Sequence, residues 1–397
     1  MIPVADATPP GLRGAALWGV LAGVFAVGSQ SMLLSPVLKD VAATFQSSER
    51  EAAYAALAYG LSLAVSAPLT GLLSDLLSRR HALLFGLIGV MLTTFLAAAS
   101  TSLAMLVVAQ GLCGLCAGAF LPSAYALVGD RVPFAERGRV MGRVMFGWSL
   151  AMVFGVPMGG LIGEHFGWRA ALGAVALLSL AAAILLFVAI KATPIALPSL
   201  AEAGRRLRQA LIAVIAARRI PALLFVNFLN MGGFFGIYIF LGSFVRDSFG
   251  LGPDRASLFV VFYGLGSGLM TLNARLFDRF GKARSLVWGL VGVACVLALI
   301  PWVPVFGWPS LAILMALWGG FQGACVTSLT TLVTQQSETS RGAVTALMSC
   351  TTYLGVAAGA ALMGLVYEYL GYVAVGVACG AGTLLGAWVI RRLRLTG

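Results

Sequence analysis

The sequence predicts an all-α integral membrane protein of twelve transmembrane helices in two six-helix pseudo-repeats, with both termini cytoplasmic. Three observations carry that expectation. Of the 397 residues, 60% are hydrophobic and only 10% charged, with a mean hydropathy of +0.97, which leaves too few polar groups to solvate a water-facing surface. Apolar stretches of about 20 residues, the length that crosses a ~30 Å hydrocarbon core, recur along the chain. A short charged segment occurs twice, about half a chain apart: Gly71-Leu-Leu-Ser-Asp75-Leu-Leu-Ser-Arg79-Arg80 and Ala274-Arg275-Leu-Phe-Asp278-Arg279-Phe-Gly281-Lys282-Ala-Arg284. A transmembrane β-barrel would show short alternating segments instead.

Residues 1–14, with several prolines and a single Arg13 ahead of a full-length apolar stretch, read as a cytoplasmic tail rather than a cleaved leader. Spans are expected at 15–38, 52–74, 82–101, 104–128, 140–163 and 169–190, and again at 221–244, 255–276, 285–304, 309–333, 343–366 and 372–390. The longest polar interruption, 191–220, separates a bundle over 15–190 from a bundle over 221–390, and 391–397 reads as a second cytoplasmic tail. Within the linker, Leu200 to Ala217 sets basic residues on one side and Leu207, Leu211, Val214 and Ile215 on the other. That is the pattern of an interfacial amphipathic helix, or of a solvated linker helix held by anionic lipid.

Orientation follows from the basic residues. With both termini inside, only Lys39, Arg50, Arg169, Arg246 and Arg255 lie outside, and the other 21 of the 26 Lys and Arg lie on the cytoplasmic side. The formal net charge of +12 is therefore a topology signal and not a nucleic-acid footprint. Cys113, Cys116, Cys295, Cys325, Cys350 and Cys379 all fall inside expected spans, so no disulfide framework is implied. Cys113 and Cys116 share a helix face, but zinc wants four ligands and both histidines, His81 and His165, sit at loops. No phosphate-binding glycine loop is present, so neither a metal nor a nucleotide cofactor is expected.

The duplication extends beyond the charged segment at a nearly constant offset. Arg137-Gly138 matches Arg341-Gly342, Gly155 and Gly160 match Gly359 and Gly364, and Glu164-His-Phe-Gly167-Trp168 matches Glu368-Tyr-Leu-Gly371-Tyr372. Gly114-x-x-x-Gly118 likewise matches Gly319-x-x-x-Gly323. Parallel halves of this kind place a substrate cavity between them.

On these residues the chain resembles the major facilitator superfamily along essentially its whole length. The loop between spans 2 and 3 is similar to that family's G-x-L-[SA]-D-[RK]-x-G-R-[RK] signature, with Gly71, Asp75, Arg79 and Arg80 in place and Leu76 and Ser78 as departures. The second copy supplies Arg279 and Gly281 at those two positions but has Ala274 where glycine is usual. An Asp at a helix end can pair with Arg79 and face the positive N-terminus of a helix in the other half, a contact worth about 1–2 kcal/mol. The expected conformational latch comprises Gly71, Asp75, Arg79, Arg80, Asp278, Arg279 and Lys282, with Asp130 joining by resemblance. The bland alternative is that Arg79 and Arg80 only anchor the loop at the headgroups.

In span 5, Gly155-Val-Pro157-Met158-Gly159-Gly160 is similar to the G-P-x-x-G-G core of the antiporter motif found in exporters. Its glycines permit close helix approach and its proline removes a ladder hydrogen bond, although generic close packing explains the glycines equally well. The resemblance also implies two charged positions that this chain lacks. Gln110 stands where proton-coupled members commonly carry Arg, and span 1 offers Gln30 and Ser31 where many relatives place a carboxylate. Proton sites, if any, are then displaced toward helix ends: Asp75 and Asp130 on one side, and Glu164, His165 and Glu368 on the other.

By resemblance, spans 1, 4, 7 and 10 line the cavity, with 2, 5, 8 and 11 adding to it. Gln30, Tyr59, Gln110, Asn227, Asn230, Tyr238, Tyr263, Trp318, Gln322 and Tyr353 would make it amphipathic and uncharged, suited to neutral or amphipathic solutes. Each has a structural alternative, as an interfacial anchor or as interhelical glue. The expectation is a non-enzymatic secondary transporter of a bacterial inner membrane, a monomer by resemblance. It would export a small organic compound by alternating access, with protons as the expected counter-ion. An importer or uncoupled facilitator is the alternative. A non-transporting receptor or scaffold would be expected to lose the Asp75–Arg79 latch and to gain soluble extensions.

Overall fold

The structure, a computed structural model, describes residues 14–73, 78–190, 205, 219–272, 281–335 and 341–393, and every regular element among them is helical. Helix α1 (Ala15–Met32) leads into α2 (Leu34–Thr44), and α3 (Glu49–Leu73), α4 (Arg79–Ala98) and α5 (Leu103–Arg131) follow. Helix α6 (Phe134–Leu150) continues through a π turn (Ala151–Gly155) into α7 (Val156–Phe166), ahead of α8 (Trp168–Ala189). The second half holds α9 (Ile220–Phe249), α10 (Pro253–Leu272), α11 (Lys282–Leu299), a 3₁₀ turn (Ile300–Trp302), α12 (Val303–Phe306), α13 (Trp308–Gln335) and α14 (Arg341–Arg392). Asp75, Asp278, Arg279 and, but for Arg205, the amphipathic stretch of the linker lie outside the described residues.

Among the described residues, nine stretches are long and apolar enough to cross a membrane. The sequence expects twelve. Helices α3 and α10 are not among the nine, while the last of the nine, Val344–Arg392, holds two helices, because α14 breaks at Gly371 (φ 78°). Gly167, its sequence counterpart in the first half, has φ 83° and separates α7 from α8. Both reversals use a backbone conformation that glycine adopts without strain.

Local chemistry fixes the helix starts. At α3, the Ser48 amide donates to Glu51 Oε2 (2.9 Å) and the Glu51 amide to Ser48 Oγ (3.1 Å), a reciprocal capping box. Ser102 accepts from the Met105 amide (3.2 Å) to start α5. The π turn ends two residues before Pro157, whose missing N–H breaks the α-helical ladder at that point. Phe85, Phe187, Trp288 and Phe306 stand exposed around the periphery, as side chains with lipid for a solvent do.

Helix ends gather at two faces. Residues 44, 100 and 168 meet through Trp168 Nε1 donating to Thr44 Oγ1 (3.0 Å) and Arg169 to the Ser100 carbonyl (2.9 Å). Residues 79, 80, 130 and 187 meet at the opposite face, through contacts described with the site. We call these the distal and proximal faces. One apolar core is built from residues 20–190 alone, with Tyr353 against its edge. The other takes most of the second half and, from the first half, Met32–Ala56, Ala97–Ala109 and Met152–Val175. The halves therefore share a continuous core toward the distal face.

Within each half, one glycine sets a helix contact of the same kind. A Cβ on Gly114 of α5 would overlap the Tyr59 carbonyl of α3, and one on Gly319 of α13 would overlap the Tyr263 carbonyl of α10. Backbone cannot give way as a side chain can. Gly114→Ala is expected to destabilise the first half by about 2 kcal/mol, read as a lowered melting temperature in detergent. An unchanged melting temperature would contradict this packing.

Candidate functional site

Four sets of side chains make up the candidate site. The first is the expected latch at the proximal face. Arg79, the first residue of α4, donates from Nε to Asp130 Oδ2 at 2.8 Å, near the end of α5. Arg80 likewise stays within the first half, donating to the Phe187 carbonyl (2.9 Å) with its guanidinium 4.5 Å from the Phe187 ring. Gly71 lies in the last turn of α3, and Lys282 opens α11.

Ser78, a departure from the signature, has a structural use here. It is the N-cap of α4, with β-region backbone and its Oγ accepting from the His81 amide (3.4 Å). Gly281, at the corresponding position of the second copy, starts α11 with φ 81° and no side-chain cap. The two loops thus begin their helices by different means.

The second set is the glycine face that runs from the end of the π turn into α7. Cβ atoms at Gly155 and Gly159 would overlap Ser29 and Leu33 of the first half, whereas one at Gly160 would overlap Ser257 Oγ and crowd the Pro253 carbonyl (2.6 Å) of α10 in the second half. The motif therefore packs α7 against its own half on one side and against the opposite half on the other.

The third set is the expected cavity lining. All ten side chains are buried or half-buried. Gln30 Nε2 donates to Gln110 Oε1 at 3.1 Å, which joins the two amides that stand where the resemblance implies charges. Phe234, Tyr238, Tyr263 and Trp318 form one aromatic cluster, with Phe234–Trp318 centroids 5.1 Å apart and Tyr263–Trp318 edge-to-face at 5.3 Å.

Hydrogen bonding sorts these residues. Asn227 Nδ2 is engaged by the Met348 carbonyl and by Thr351 and Thr352 hydroxyls, at 2.8–3.0 Å, so it ties α9 to α14. Tyr238 donates to the Met32 carbonyl (3.0 Å) and belongs to the seal between halves. By contrast, both side-chain polar atoms of Asn230 and of Gln322, with Trp318 Nε1 and Tyr59 Oη, are buried and have no hydrogen-bond partner among the described residues. Buried polar atoms left unpaired cost about 1–3 kcal/mol each, so these are the atoms with most to gain from a bound solute or water.

The fourth set was not singled out from sequence. At the distal face, Lys39-Asp40 of α2 meets Arg246-Asp247 of α9 crosswise. Arg246 donates two parallel bonds to the Asp40 carboxylate (2.7 and 2.8 Å) and a third to the Pro36 carbonyl (3.3 Å), while Lys39 pairs with Asp247. Ser35 Oγ donates to the Tyr238 carbonyl (2.5 Å) and accepts from the Gly242 amide (3.3 Å). Two base-acid dipeptides, just past the ends of the first and seventh expected spans, were the available signal.

Of the expected proton sites, Glu368 accepts from Arg50 Nη1 at 2.6 Å across the same seal. That contact, with desolvation opposing it, drives the Arg50 guanidinium further above its ordinary value. Glu164 lies against Gly252 of the opposite half, and exposed His165 has its Nδ1 3.0 Å from the Leu161 carbonyl.

Known proteins share this chain's sequence pattern and fold. The sequence model described as Major Facilitator Superfamily matches residues 20–340 and again 223–396. The chain is 37% identical to an uncharacterized MFS-type transporter, YwfA, of Bacillus subtilis, over 92% of this chain and 88% of that one. It is 28% identical to a chloramphenicol efflux pump of Mycobacterium tuberculosis, over 73% of this chain and 70% of that one. Its backbone also superposes on the crystal structure of the human organic anion transporter TETRAN with a TM-score of 0.72 at 19% identity, covering 95% and 99% of the two chains. Helices of membrane length without strands among the described residues, and a family match spanning nearly the whole chain, lead to one conclusion: the chain belongs to the Major Facilitator Superfamily of membrane transporters.

Proposed function

We propose that the protein exports a small, neutral or amphipathic organic compound by alternating access. The observation that carries this reading is the distal seal. Its cross-half bonds, Arg246–Asp40, Lys39–Asp247 and Arg50–Glu368, close one face over a buried lining of uncharged aromatic and amide groups. A solute would enter from the proximal face, meet Asn230, Gln322, Trp318 and Tyr59, and leave once the distal bonds break and the latch around Arg79 and Asp130 forms across the halves. Export is supported by the α7 glycine face and by the relative named as an efflux pump. The solute undergoes no covalent chemistry in this reading.

The arrangement proposed is twelve spans in two pseudo-repeats, with bundles over 15–190 and 221–390, a cytoplasmic linker over 191–220 and cytoplasmic termini, as a monomer in a bacterial inner membrane. The paired contacts of Gly114 with Tyr59 and Gly319 with Tyr263 support the duplication, as does the second family match over 223–396. Proton antiport is the proposed coupling. Its candidate carboxylates, Asp75, Asp130, Glu164 and Glu368, sit at helix ends, with the Gln30–Gln110 pair occupying mid-membrane.

The test is flux in proteoliposomes with internal pH recorded, using neutral, zwitterionic and lipophilic compounds, chloramphenicol among them. Proton movement that requires both compound and protein supports antiport, and compound flux without it makes the protein a facilitator. Absence of flux for the whole panel under either gradient would overturn the exporter reading. Asp75→Asn is expected to cut turnover about 5- to 30-fold at unchanged expression, the size of a latch worth about 1–2 kcal/mol. Wild-type turnover in that variant would remove the latch from the mechanism.

A further inference from the structure

At the proximal ends of α11 and α14, an open groove of about 370 Å³ is lined by Ala283, Arg284, Val287, Trp288, Ile390 and Arg391. Arg284 and Trp288 are spaced to share one face of α11, and both are exposed. Two arginines thus line one site among apolar side chains. Neither α11 nor the part of α14 after Gly371 contains an Asp or Glu, and no described ion pair involves Arg284 or Arg391. Arg392 beside them lies over the Trp388 ring, 5.3 Å from its centroid.

The corresponding place in the first half shows what is different. Arg80 and Arg284 both lie in the first turn of their helices, α4 and α11, and Arg391 stands at the 204-residue repeat offset from Phe187. Arg80 is satisfied internally, by the Phe187 carbonyl and ring. In the second half the position of that aromatic partner holds a second cation, so two like charges line one groove, and no carboxylate pairs with either among the described residues. An anion held between the two removes the repulsion and gains charge-assisted hydrogen bonds.

We propose that this groove binds the headgroup of an anionic phospholipid. Its phosphodiester lies between Arg284 and Arg391, and its acyl chains run down the apolar faces of α11 and α14. Trp288 and Trp388, both exposed near these helix ends, sit where interfacial tryptophans lie in a bilayer. Basic pockets between transmembrane helices on the cytoplasmic side hold anionic headgroups for the same electrostatic reason.

Quenching of Trp288 by brominated lipids tests this in proteoliposomes, the Trp288 signal being wild type minus Trp288→Phe. Brominated phosphatidylglycerol is expected to outcompete brominated phosphatidylcholine at Trp288 by about fivefold or more, since each arginine near a charged surface is worth about that factor. R284Q combined with R391Q is expected to erase the preference, while R284K with R391K keeps most of it and controls for folding. R139Q, at an exposed basic residue of the first half, is expected to leave it intact. Equal quenching by the two lipids, or a preference that survives the double glutamine variant, would overturn the proposal. Loss of the preference on adding millimolar inorganic phosphate would overturn it too, and assign the groove to a soluble anion.

Discussion

Arg246→Ala opens the distal face. In the structure Arg246 holds the Asp40 carboxylate with two bonds and the Pro36 carbonyl with a third, so it alone ties three acceptors of α2 to α9. Its side chain is only 14% exposed and that of Asp40 36%, which places the pair between a screened surface bridge and a buried one. Removing one partner then costs about 1–3 kcal/mol of the closed arrangement, or about 5- to 150-fold in its population. Lys39–Asp247, at 43% and 53% exposure, compensates little.

Spin labels at Ala43→Cys and Arg255→Cys, exposed positions on opposite halves, read the change as a gain of a longer distance in Arg246→Ala. Exchanging the charges, Asp40→Arg with Arg246→Asp, is expected to restore much of the short distance, because the pair then re-forms with its polarity reversed. A short distance retained in Arg246→Ala would mean that the apolar seam through Met32, Tyr238 and Phe240 closes this face unaided.

Much of this architecture could be read from residues alone, because a bilayer restricts the choices. Backbone in hydrocarbon must satisfy its own hydrogen bonds, so long apolar runs could only be helices. The repeat offset then located glycines whose partners the structure supplies: Gly114 against Tyr59, Gly319 against Tyr263, and Gly167 and Gly371 at matching reversals. Ser78 could not be understood from a motif, since its use as an N-cap depends on where α4 begins. Nor could Tyr238 and Asn227 be separated from Asn230 and Gln322. All four are polar residues on long apolar helices, and only three-dimensional neighbours decide which are already engaged. The crosswise Lys39-Asp40 and Arg246-Asp247 pairing was missed because Lys39 and Arg246 were weighed for sidedness alone, a rule in which the neighbouring carboxylates do not count. Partnership between distant helix ends is set by tertiary structure.

Gly160→Ala carries the second large effect, and it separates two readings of the α7 motif. A methyl group there meets Ser257 Oγ, Ser257 Cβ and the Pro253 carbonyl, all on α10 in the other half. The Pro253 carbonyl is backbone at the start of a helix, so it cannot rotate away as a side chain would. The strain falls on the contact between halves and is present only while the distal face is closed. Overpacking of this kind costs about 1–3 kcal/mol, which shifts the population toward opening by about 5- to 150-fold and lowers transport in proportion. Gly155→Ala strains a different contact, the Ser29 side chain within the first half, and Ser29→Gly is expected to rescue it while leaving Gly160→Ala unrescued. Gly173→Ala, with open space around the added methyl, is expected to do little beyond a small gain in helix stability. The label pair above reads the conformational part, and flux reads the functional part. Equal behaviour of Gly155→Ala and Gly160→Ala in both would show that the motif serves packing within one bundle, and its link to the direction of transport would fall with that result.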